Sequence, residues 1–322
     1  MNTRILGRSE IDVSALGMGT WAIGGPVTNE VGAPVGWGEV NDAESVRALR
    51  HALDLGITFF DTANAYGTGH SEMLLGQALE GRRDDAVIAT KFGRVFEEGS
   101  RHITGNDAGP AVVRQSCEDS LRRLKTDHID LYWFHLGDYD PERAVEVRDT
   151  LEDLVREGKI LWYGWSTDDP QRARVFAEGR HCTAVQFRLN IFERNDAMVA
   201  LCHEHDLAAV IRGPLAMGLL TGKFTPESML PDNDVRRAWD FKNGDQAHRL
   251  EKLAALQDVL TRYGHTLAQA ALGWLWAHTD AAVPIPGFKT VNQVEENAGA
   301  MDFGPLGGDQ MREIDALLAA DS

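Results

Sequence analysis

Asp61, Tyr66, Lys91 and His135 are the residues whose types and spacing could together do chemistry in this chain. A carbonyl carbon accepts a hydride when its oxygen is polarised and protonated, and a tyrosine hydroxyl, with a free pKa near ~10, can donate that proton. An ammonium beside Tyr66 stabilises the phenolate and is expected to bring its pKa toward working pH. Asp61 would be the counter-ion of a buried Lys91, and a neutral imidazole from His135 would hold the substrate oxygen.

These four residues end strand-like apolar runs or follow them closely. Asp61 and Tyr66 lie in "FFDTANAYGTGHSE", Lys91 ends "AVIATK" and His135 ends "HIDLYWFH". Any one of them alone is more often a cap or a solvated residue at the edge of a sheet. As a set they fall at the C-terminal ends of successive predicted strands, which is the face where barrel enzymes carry their chemistry.

Strand and helix patterns alternate along nearly the whole chain, and they predict the fold that must position these residues. Eight short apolar strands separated by helices indicate a parallel sheet. The natural closure at this length is an α/β (β/α)8 TIM barrel, preceded by an N-terminal β-hairpin with its turn at 7–10 and followed by an extra C-terminal helix. The alternative, a doubly wound open sheet, predicts G-x-G-x-x-G after the first strand, and "GMGTWAIGG" does not match it. No shift of composition marks a boundary, so 1–322 is expected to be a single domain.

The composition disfavours several classes of partner. The formal net charge of the 322 residues is −17, which argues against nucleic acid. No apolar run approaches the ~18 residues of a membrane span, and the first ten residues lack the apolar region of a signal peptide. Three cysteines are few and odd in number, which favours a cytoplasmic protein with free thiols. No metal site is expected, because the side chains of "CHEH" (202–205) would point to different faces of a helix.

The chain resembles the aldo-keto reductases over nearly its whole length. The resemblance lies in seven segments in the expected order: "GMGTWAIGG", "DTANAYGTGHSEMLLGQAL", "ATKFG", "SLRRLKTDHIDLYWFH", "GKILWYGWS", "PLAMGLLTGK" and "PIPGFKTVNQVEENAGA". It implies a barrel that binds NADPH without a Rossmann fold, with hydride passing from the nicotinamide to an aldehyde or ketone. By position, Tyr66 is similar to the proton donor, Lys91 and Asp61 to the pair that tunes it, and His135 to the residue that orients the carbonyl.

The same resemblance implies the cofactor contacts. Ser166 and Gln186 match positions that hold the nicotinamide carboxamide, with Thr167 in place of the usual Asn. Arg212 stands where many relatives have a tyrosine that stacks on the nicotinamide; a planar guanidinium can stack too, or Arg212 can pair with a carboxylate instead. The implied set is Gly19, Thr20, Trp21, Asp61, Ser166, Gln186, Arg212, Gly213, Pro214, Leu215, Gly218, Leu220, Gly222, Lys223, Gly287, Lys289, Thr290, Gln293, Glu296 and Asn297.

The expected function is NADPH-dependent reduction of an aldehyde or ketone, or the reverse oxidation of an alcohol or sugar. Lys289 would neutralise the adenosine 2′-phosphate, and Gln293 replaces an arginine of many relatives, so NADP is favoured over NAD by a smaller margin. Trp21, Trp37 and Phe92 are candidate substrate contacts. The alternative is a cofactor-bound, redox-sensing auxiliary subunit of a potassium channel, which would turn over very slowly. The sequence predicts neither the particular substrate nor the oligomeric state.

Overall fold

A computed structural model of the chain describes residues 3–320, and the single-domain prediction includes four terminal residues outside that range. Twelve strands occur within it: β1 (Thr3–Ile5), β2 (Asp12–Ser14), β3 (Gly17–Gly19), β4 (Phe59–Asp61), β5 (Val87–Phe92), β6 (Arg94–Phe96), β7 (Ile103–Asn106), β8 (Ile129–Phe134), β9 (Ile160–Ser166), β10 (Cys182–Arg188), β11 (Ala208–Arg212) and β12 (Ala282–Pro284). Among the same residues, no helix is both long and apolar enough to cross a bilayer.

Eight of these strands form one parallel sheet in the order β12-β11-β10-β9-β8-β5-β4-β3. Its two edges meet, because the Gly19 N–H donates to the carbonyl of Pro286 over 3.0 Å and Gly19 bridges to Gly287 in parallel register. A side chain at position 19 would prevent this closure, since its Cβ would lie 2.7 Å from the Ile285 carbonyl oxygen. The (β/α)8 barrel predicted from the alternating pattern is therefore confirmed.

The helices alternate with the strands in the order that the sequence pattern predicts. They are α1 (Asp42–Asp54), α2 (His70–Ala78), α3 (Pro110–Leu124), α4 (Pro141–Arg156), α5 (Pro170–Ala177), α6 (Asp196–Glu204), α7 (Gly244–Thr261), α8 (Leu267–His278), α9 (Val291–Phe303) and α10 (Gly308–Ala320). Local chemistry sets several starts: the side chains of Asn41 and Asp140 accept hydrogen bonds from the first free backbone amides of α1 and α4. The last, α10, is the expected additional helix.

The hydrophobic core has two layers, as a barrel requires. The inner layer fills the barrel with side chains that include Phe59, Leu131, Trp133 and Val210. A larger outer layer packs the other faces of the strands against the helices. Glycine at 164 makes room for the Trp133 ring inside the barrel, because a Cβ there would lie 2.5 Å from an atom of that ring. The filled interior makes the barrel a rigid support for groups at its mouth.

Two hairpins lie outside the barrel sheet. The expected N-terminal one pairs β1 with β2, and it packs Leu6 and Val13 against the inner core. The second pairs β6 with β7 and was not predicted, because residues 94–106 are mostly polar and give no apolar alternation. It starts at Gly93, whose φ of +115° turns the chain directly after β5. This turn brings Arg94 to the C-terminal end of the barrel.

Candidate active site

A cavity of about 880 Å³ lies at the C-terminal ends of the barrel strands. Its wall includes Asp61 at the end of β4, Ser166 at the end of β9 and Arg212 at the end of β11. Tyr66 and His135 also line it, from the loops that follow β4 and β8. The structure thus brings Asp61, Tyr66 and His135 to one site, with Lys91 directly behind the wall.

Lys91 and Asp61 form a buried ion pair beneath this cavity. The Lys91 ammonium donates to the Asp61 carboxylate and also to the carbonyl of Thr62 over 2.7 Å, and neither charged side chain is more than 2 % exposed. Burial alone would lower the pKa of Lys91, but the charge and hydrogen bond of Asp61 together with the contribution of Tyr66 outweigh it and raise that pKa. Lys91 therefore keeps its proton, and its Nζ lies 4.8 Å from the centre of the Tyr66 ring.

Tyr66 is held between two rings, with the Trp21 indole stacked at 6.1 Å and the His135 imidazole edge-on at 6.0 Å between ring centres. Burial raises the pKa of Tyr66, and the positive charge of Lys91 only reduces that rise. The expectation that Lys91 brings this pKa toward working pH is therefore wrong in this structure, because desolvation penalises the phenolate more than the ammonium stabilises it. The hydroxyl consequently keeps its proton at neutral pH.

His135 presents a neutral imidazole to the cavity. Burial, helped by the charge of Lys91, lowers the pKa of His135 well below its usual range. Its backbone N–H donates to the carbonyl of Phe92 over 2.9 Å, which fixes the start of the loop after β8. Its Nδ1 is buried and has no hydrogen-bond partner among the described residues. A neutral ring of this kind has one donor and one acceptor nitrogen, so it can donate a hydrogen bond to a small polar molecule in the cavity or accept one from it.

Ser166 and Gln186 line the cavity and are linked to the ion pair. The Ser166 hydroxyl donates to the Gln186 side-chain oxygen over 3.0 Å, and the Gln186 amide donates to the second oxygen of Asp61 over 2.8 Å. Thr167 takes no part, since its hydroxyl donates to the carbonyl of Gly137 over 2.7 Å and the residue does not line the cavity. Ser166 and Gln186 are therefore already oriented by Asp61.

Arg212 lines the cavity and pairs with a carboxylate, which was one of the two arrangements expected for it. Its guanidinium donates to the carboxylate of Asp168. Asp168 also accepts a hydrogen bond from the backbone N–H of Arg188 over 2.7 Å, which ties the ends of β10 and β11 together. The arginine is therefore anchored at the mouth of the barrel with part of its planar group on the cavity wall.

Most of the other predicted cofactor residues also lie on the wall. They are Gly19, Trp21, Gly213, Pro214, Leu215, Gly218, Lys223, Gly287, Lys289, Gln293, Glu296 and Asn297. Four others do not line it: Thr20, Leu220, Gly222 and Thr290. Thr20 and Leu220 are fully buried, Gly222 ends the turn after β11, and the Thr290 hydroxyl caps α9 by accepting from the Gln293 N–H.

Phe92 is not a substrate contact, and this prediction was wrong. Its side chain is fully buried in the outer core, 4.6 Å from the ring of Tyr132 and 5.4 Å from that of Phe134 between ring centres. Side chains alternate along a strand, so with Lys91 directed to the inside of the barrel its neighbour must face the helices. Trp21 and Trp37, by contrast, line the cavity with their rings edge-on at 5.3 Å.

Three arginines on the wall were missed from the sequence: Arg94, Arg188 and Arg236. Arg236 comes from the long polar segment between β11 and α7, where no periodicity marked it. Its guanidinium lies 4.2 Å above the Trp37 ring, makes two hydrogen bonds to Asp234 and donates to the carbonyl of Met217 over 2.9 Å. Arg94 and Arg188 had a detectable signal, because each lies at the C-terminal end of a barrel strand or just after it.

The two lysines of the wall differ in how they are held. The Lys223 ammonium has no hydrogen bond or ion pair among the described residues; it lies 5.1 Å from the Phe224 ring centre, and burial lowers its pKa. The Lys289 ammonium donates to the carbonyls of Trp37 and Glu39, over 2.5 and 3.1 Å. Lys223 is thus free to bind an anion, whereas Lys289 also fastens the loop that carries Trp37.

A parallel barrel with a buried Lys–Asp pair, a tyrosine and a neutral histidine at its mouth defines a barrel oxidoreductase. Residues 15–319 match the sequence model of the aldo/keto reductase family, and the chain belongs to that family.

Named relatives and solved structures that resemble this chain match it over almost the full length of both chains. The NADH-specific methylglyoxal reductase of Escherichia coli (strain K12) is 29% identical over 96% of this chain and 97% of its own. The structure of the glycerol dehydrogenase of Gluconobacter oxydans is similar over 99% and 95% of the two chains, with 30% identity and a TM-score of 0.85. An aldo-keto reductase of Klebsiella pneumoniae in complex with NADPH shares 29% identity and a TM-score of 0.72, over 98% and 94%.

Proposed function

We propose that this protein reduces an aldehyde or ketone with NADPH, or oxidises the corresponding alcohol or sugar, with Tyr66 as the proton donor. The observation that carries the proposal is the convergence of Tyr66, His135 and the buried Lys91–Asp61 pair on one cavity. The same proposal takes the whole chain, 1–322, as one domain, supported by a single outer core that runs from β3 to α10.

The cavity wall fits a dinucleotide. The Lys223 ammonium lacks a partner among the described residues, and it lies beside Gly218, whose φ of +95° places backbone on the wall in a conformation that favours glycine. A Cβ at 218 would come within 3.1 Å of Lys223 Nζ and crowd the space for a phosphate. At another part of the wall, the Asn297 amide nitrogen is buried without a partner within residues 3–320, as expected for a group that meets an adenine. When bound, the nicotinamide of the cofactor supplies the hydride.

The protein's own groups then have separate tasks. His135, kept neutral by burial, hydrogen-bonds the substrate oxygen and orients it beside Tyr66. Tyr66 delivers its hydroxyl proton to that oxygen as negative charge develops, and the Lys91 ammonium stabilises the resulting phenolate. Asp61 keeps Lys91 charged and holds Gln186 and, through it, Ser166. The rings of Trp21 and Trp37 exclude water from this end of the cavity.

NADPH is proposed over NADH because Lys289 lies on the wall beside α9, where a 2′-phosphate would meet its positive charge. Gln293 supplies no second cation there, and two of the lysine's donors are already used on Trp37 and Glu39. The preference is therefore expected to be modest. A relative named as NADH-specific, at 29% identity, fits a family in which this choice varies.

The test is a panel of aldehydes, ketones and sugars assayed with NADPH and, in the reverse direction, with NADP+. Tyr66→Phe should lower kcat by about 10²-fold or more while changing the Kd for NADPH little, since removing a general acid costs that much. Tyr263→Phe is the matched control, because Tyr263 is 64% exposed and does not line the cavity. Near-normal turnover in Tyr66→Phe would contradict the assignment. Tight cofactor binding with almost no turnover on any carbonyl would favour the redox-sensing alternative.

A further inference from the structure

The cavity wall carries an excess of positive charge that the chain as a whole lacks. The formal net charge of the chain is −17, yet the cationic side chains on the wall are Arg94, Arg188, Arg212, Lys223, Arg236 and Lys289, against Glu30, Asp61 and Glu296. Asp61 is already paired with Lys91, and two of the cations, Arg212 and Arg236, are paired with Asp168 and Asp234. A wall of this composition in an acidic protein favours ligands with negative charge.

Five of the six cations divide into two groups. Lys223, Arg236 and Lys289 form one, because Arg236 contributes to lowering the pKa of both lysines after the larger effect of burial. Under the proposed function this group faces the phosphates of the cofactor. Arg94, directly after β5, and Arg212, at the end of β11, line the cavity together with His135, and both contribute, after burial and Lys91, to lowering the pKa of His135. This second group therefore lies on the part of the wall that carries His135.

Within this second group Arg94 is available to a ligand. Its guanidinium donates to the side-chain oxygen of Asn106 over 2.8 Å, and no carboxylate of residues 3–320 lies within ion-pair distance. Asn106 lies on β7, so the hairpin holds the guanidinium without neutralising it. This placement requires glycine at position 93. The φ of Gly93 is +115°, and a Cβ there would lie 2.9 Å from the Leu136 side chain.

Arg188 adds a second, loosely held cation at the same mouth. Its nearest carboxylate oxygen, on Glu193, is 3.6 Å away, and Glu193 makes a closer contact of 2.8 Å with Arg249. Arg212, in contrast, is neutralised by Asp168. Glu30 is one acidic residue of the wall that could oppose an anion, and it is exposed to solvent, which weakens its effect.

We propose that the substrate carries an oxyanion, a carboxylate or a phosphate, in addition to its carbonyl, and that Arg94, assisted by Arg188, binds it. This inference rests on the proposed reduction of a carbonyl. The oxyanion takes two or more hydrogen bonds from the guanidinium of Arg94 in the geometry that carboxylates and phosphates share. The carbonyl is thereby positioned between Tyr66 and His135, and neutral aldehydes of the same size bind less tightly.

Two matched substrate pairs test the charge and identify its chemistry. One pair is 4-oxobutanoate and its methyl ester, and the other is glyceraldehyde 3-phosphate and glyceraldehyde. The anionic member of at least one pair should have a kcat/KM about 10- to 100-fold above that of the neutral member, as expected for charge-assisted hydrogen bonds. A preference in the first pair alone identifies a carboxylate, and one in the second alone identifies a phosphate. Equal values within both pairs would overturn the inference.

Arg94→Gln assigns the effect to one side chain. It should lower kcat/KM for the preferred anionic substrate about 10- to 100-fold more than for its neutral partner, mainly through KM. Arg94→Lys should retain part of the preference, and Arg94→Glu should reverse it. Arg180→Gln removes the same charge from an exposed residue before β10, at the opposite end of the barrel, and should leave the preference intact. Equal losses for both members of a pair in Arg94→Gln would refute a role in anion binding.

A binding measurement keeps this test independent of turnover. Butanoate and butanamide can be titrated into the protein with NADP+ present, using the fluorescence of Trp21 and Trp37 in the wall. Butanoate should bind the wild type more tightly than butanamide, and Arg94→Gln should abolish the difference. If the carbonyl panel shows no reduction but butanoate is still selected, the proposed function fails and the anion site stands. If carbonyls are reduced without selection of the anion in either assay, only this inference fails.

Discussion

The guanidinium of Arg212 donates a hydrogen bond to the carboxylate of Asp168 while the same side chain forms part of the cavity wall. The pair joins the end of β11 to the loop after β9, so Arg212 has an anchor that does not depend on any ligand. Two roles remain compatible with this geometry. The guanidinium can stack on the nicotinamide with Asp168 as its support, or the ion pair can serve only to hold the mouth of the barrel.

Substitutions at 212 separate these roles. Arg212→Leu should weaken NADPH binding by about 10-fold and slow single-turnover reduction, because a stacked guanidinium contributes up to about 2 kcal/mol. Arg212→Tyr should restore much of both, since a flat ring can occupy the same place, and Asp168→Asn should do less harm than Arg212→Leu. If Arg212→Leu and Arg212→Tyr reduce NADPH affinity and the single-turnover rate equally, and Asp168→Asn alone has the same effect, the ion pair is structural.

The pH dependence of stability should report the buried state of His135. Burial lowers the pKa of His135 in the folded protein, so below the unfolded pKa of about 6.5 the unfolded chain binds the extra proton and unfolding becomes more favourable. The free energy of unfolding of the wild type, measured in urea, should fall between pH 7 and pH 5.5. His135→Gln should remove about 1 kcal/mol of that fall.

The control for this measurement is His248→Gln. The His248 side chain is 52% exposed, and its replacement should leave the pH dependence of the wild type unchanged. An identical decrease in the wild type and in His135→Gln would show that His135 does not resist protonation in the folded state.

Lys223 and Lys289 should affect the two nicotinamide cofactors differently. Lys223→Ala should raise the Kd for NADPH and for NADH alike. The Lys223 ammonium, which no described carboxylate pairs, lies beside Gly218, and the pyrophosphate that it would meet is common to both cofactors. Lys289→Ala should raise the Kd for NADPH by about 10- to 100-fold and change that for NADH little, as expected for loss of one charge-assisted contact to the 2′-phosphate.

Fluorescence titration of both variants with both cofactors gives the four constants needed. Equal weakening of NADPH and NADH by Lys289→Ala would assign that lysine to its contacts with Trp37 and Glu39, and some other residue would then determine the cofactor preference. Lys252→Ala, on α7 and outside the cavity wall, is a suitable charge control for both variants.

Removing Asp61 should destabilise the protein more than removing the whole ion pair. Asp61→Asn leaves the fully buried Lys91 ammonium without its counter-ion, and breaking a buried pair in this way costs about 3–5 kcal/mol. The double variant Asp61→Leu/Lys91→Met should recover much of that loss, because no buried charge remains. Urea unfolding of the three proteins tests this, and a double variant no more stable than Asp61→Asn would contradict it.

Several features of this protein follow from the sequence by itself. Short apolar runs between amphipathic helices determine the barrel, because parallel strands and their covering helices are the arrangement that buries both faces of the sheet. The ends of those runs mark Asp61, Lys91 and His135 as neighbours, since parallel strands all present the same end at one face. Helix starts such as those at Asn41 and Asp140 are local, so their position along the chain is enough to identify them.

Other features were decided only by the tertiary structure. Whether Phe92 faces the cavity depends on which side of β5 faces the inside of the barrel. Whether the pKa of Tyr66 rises or falls depends on how deeply its ring is buried. Arg236 reaches the wall from a segment without periodicity, so no local pattern could place it there. Strands and helices depend mainly on residues that are neighbours in the chain. The charge state and solvation of a side chain depend on distances to residues far apart in the chain. The sequence therefore determines the fold more fully than it determines the electrostatics of the site.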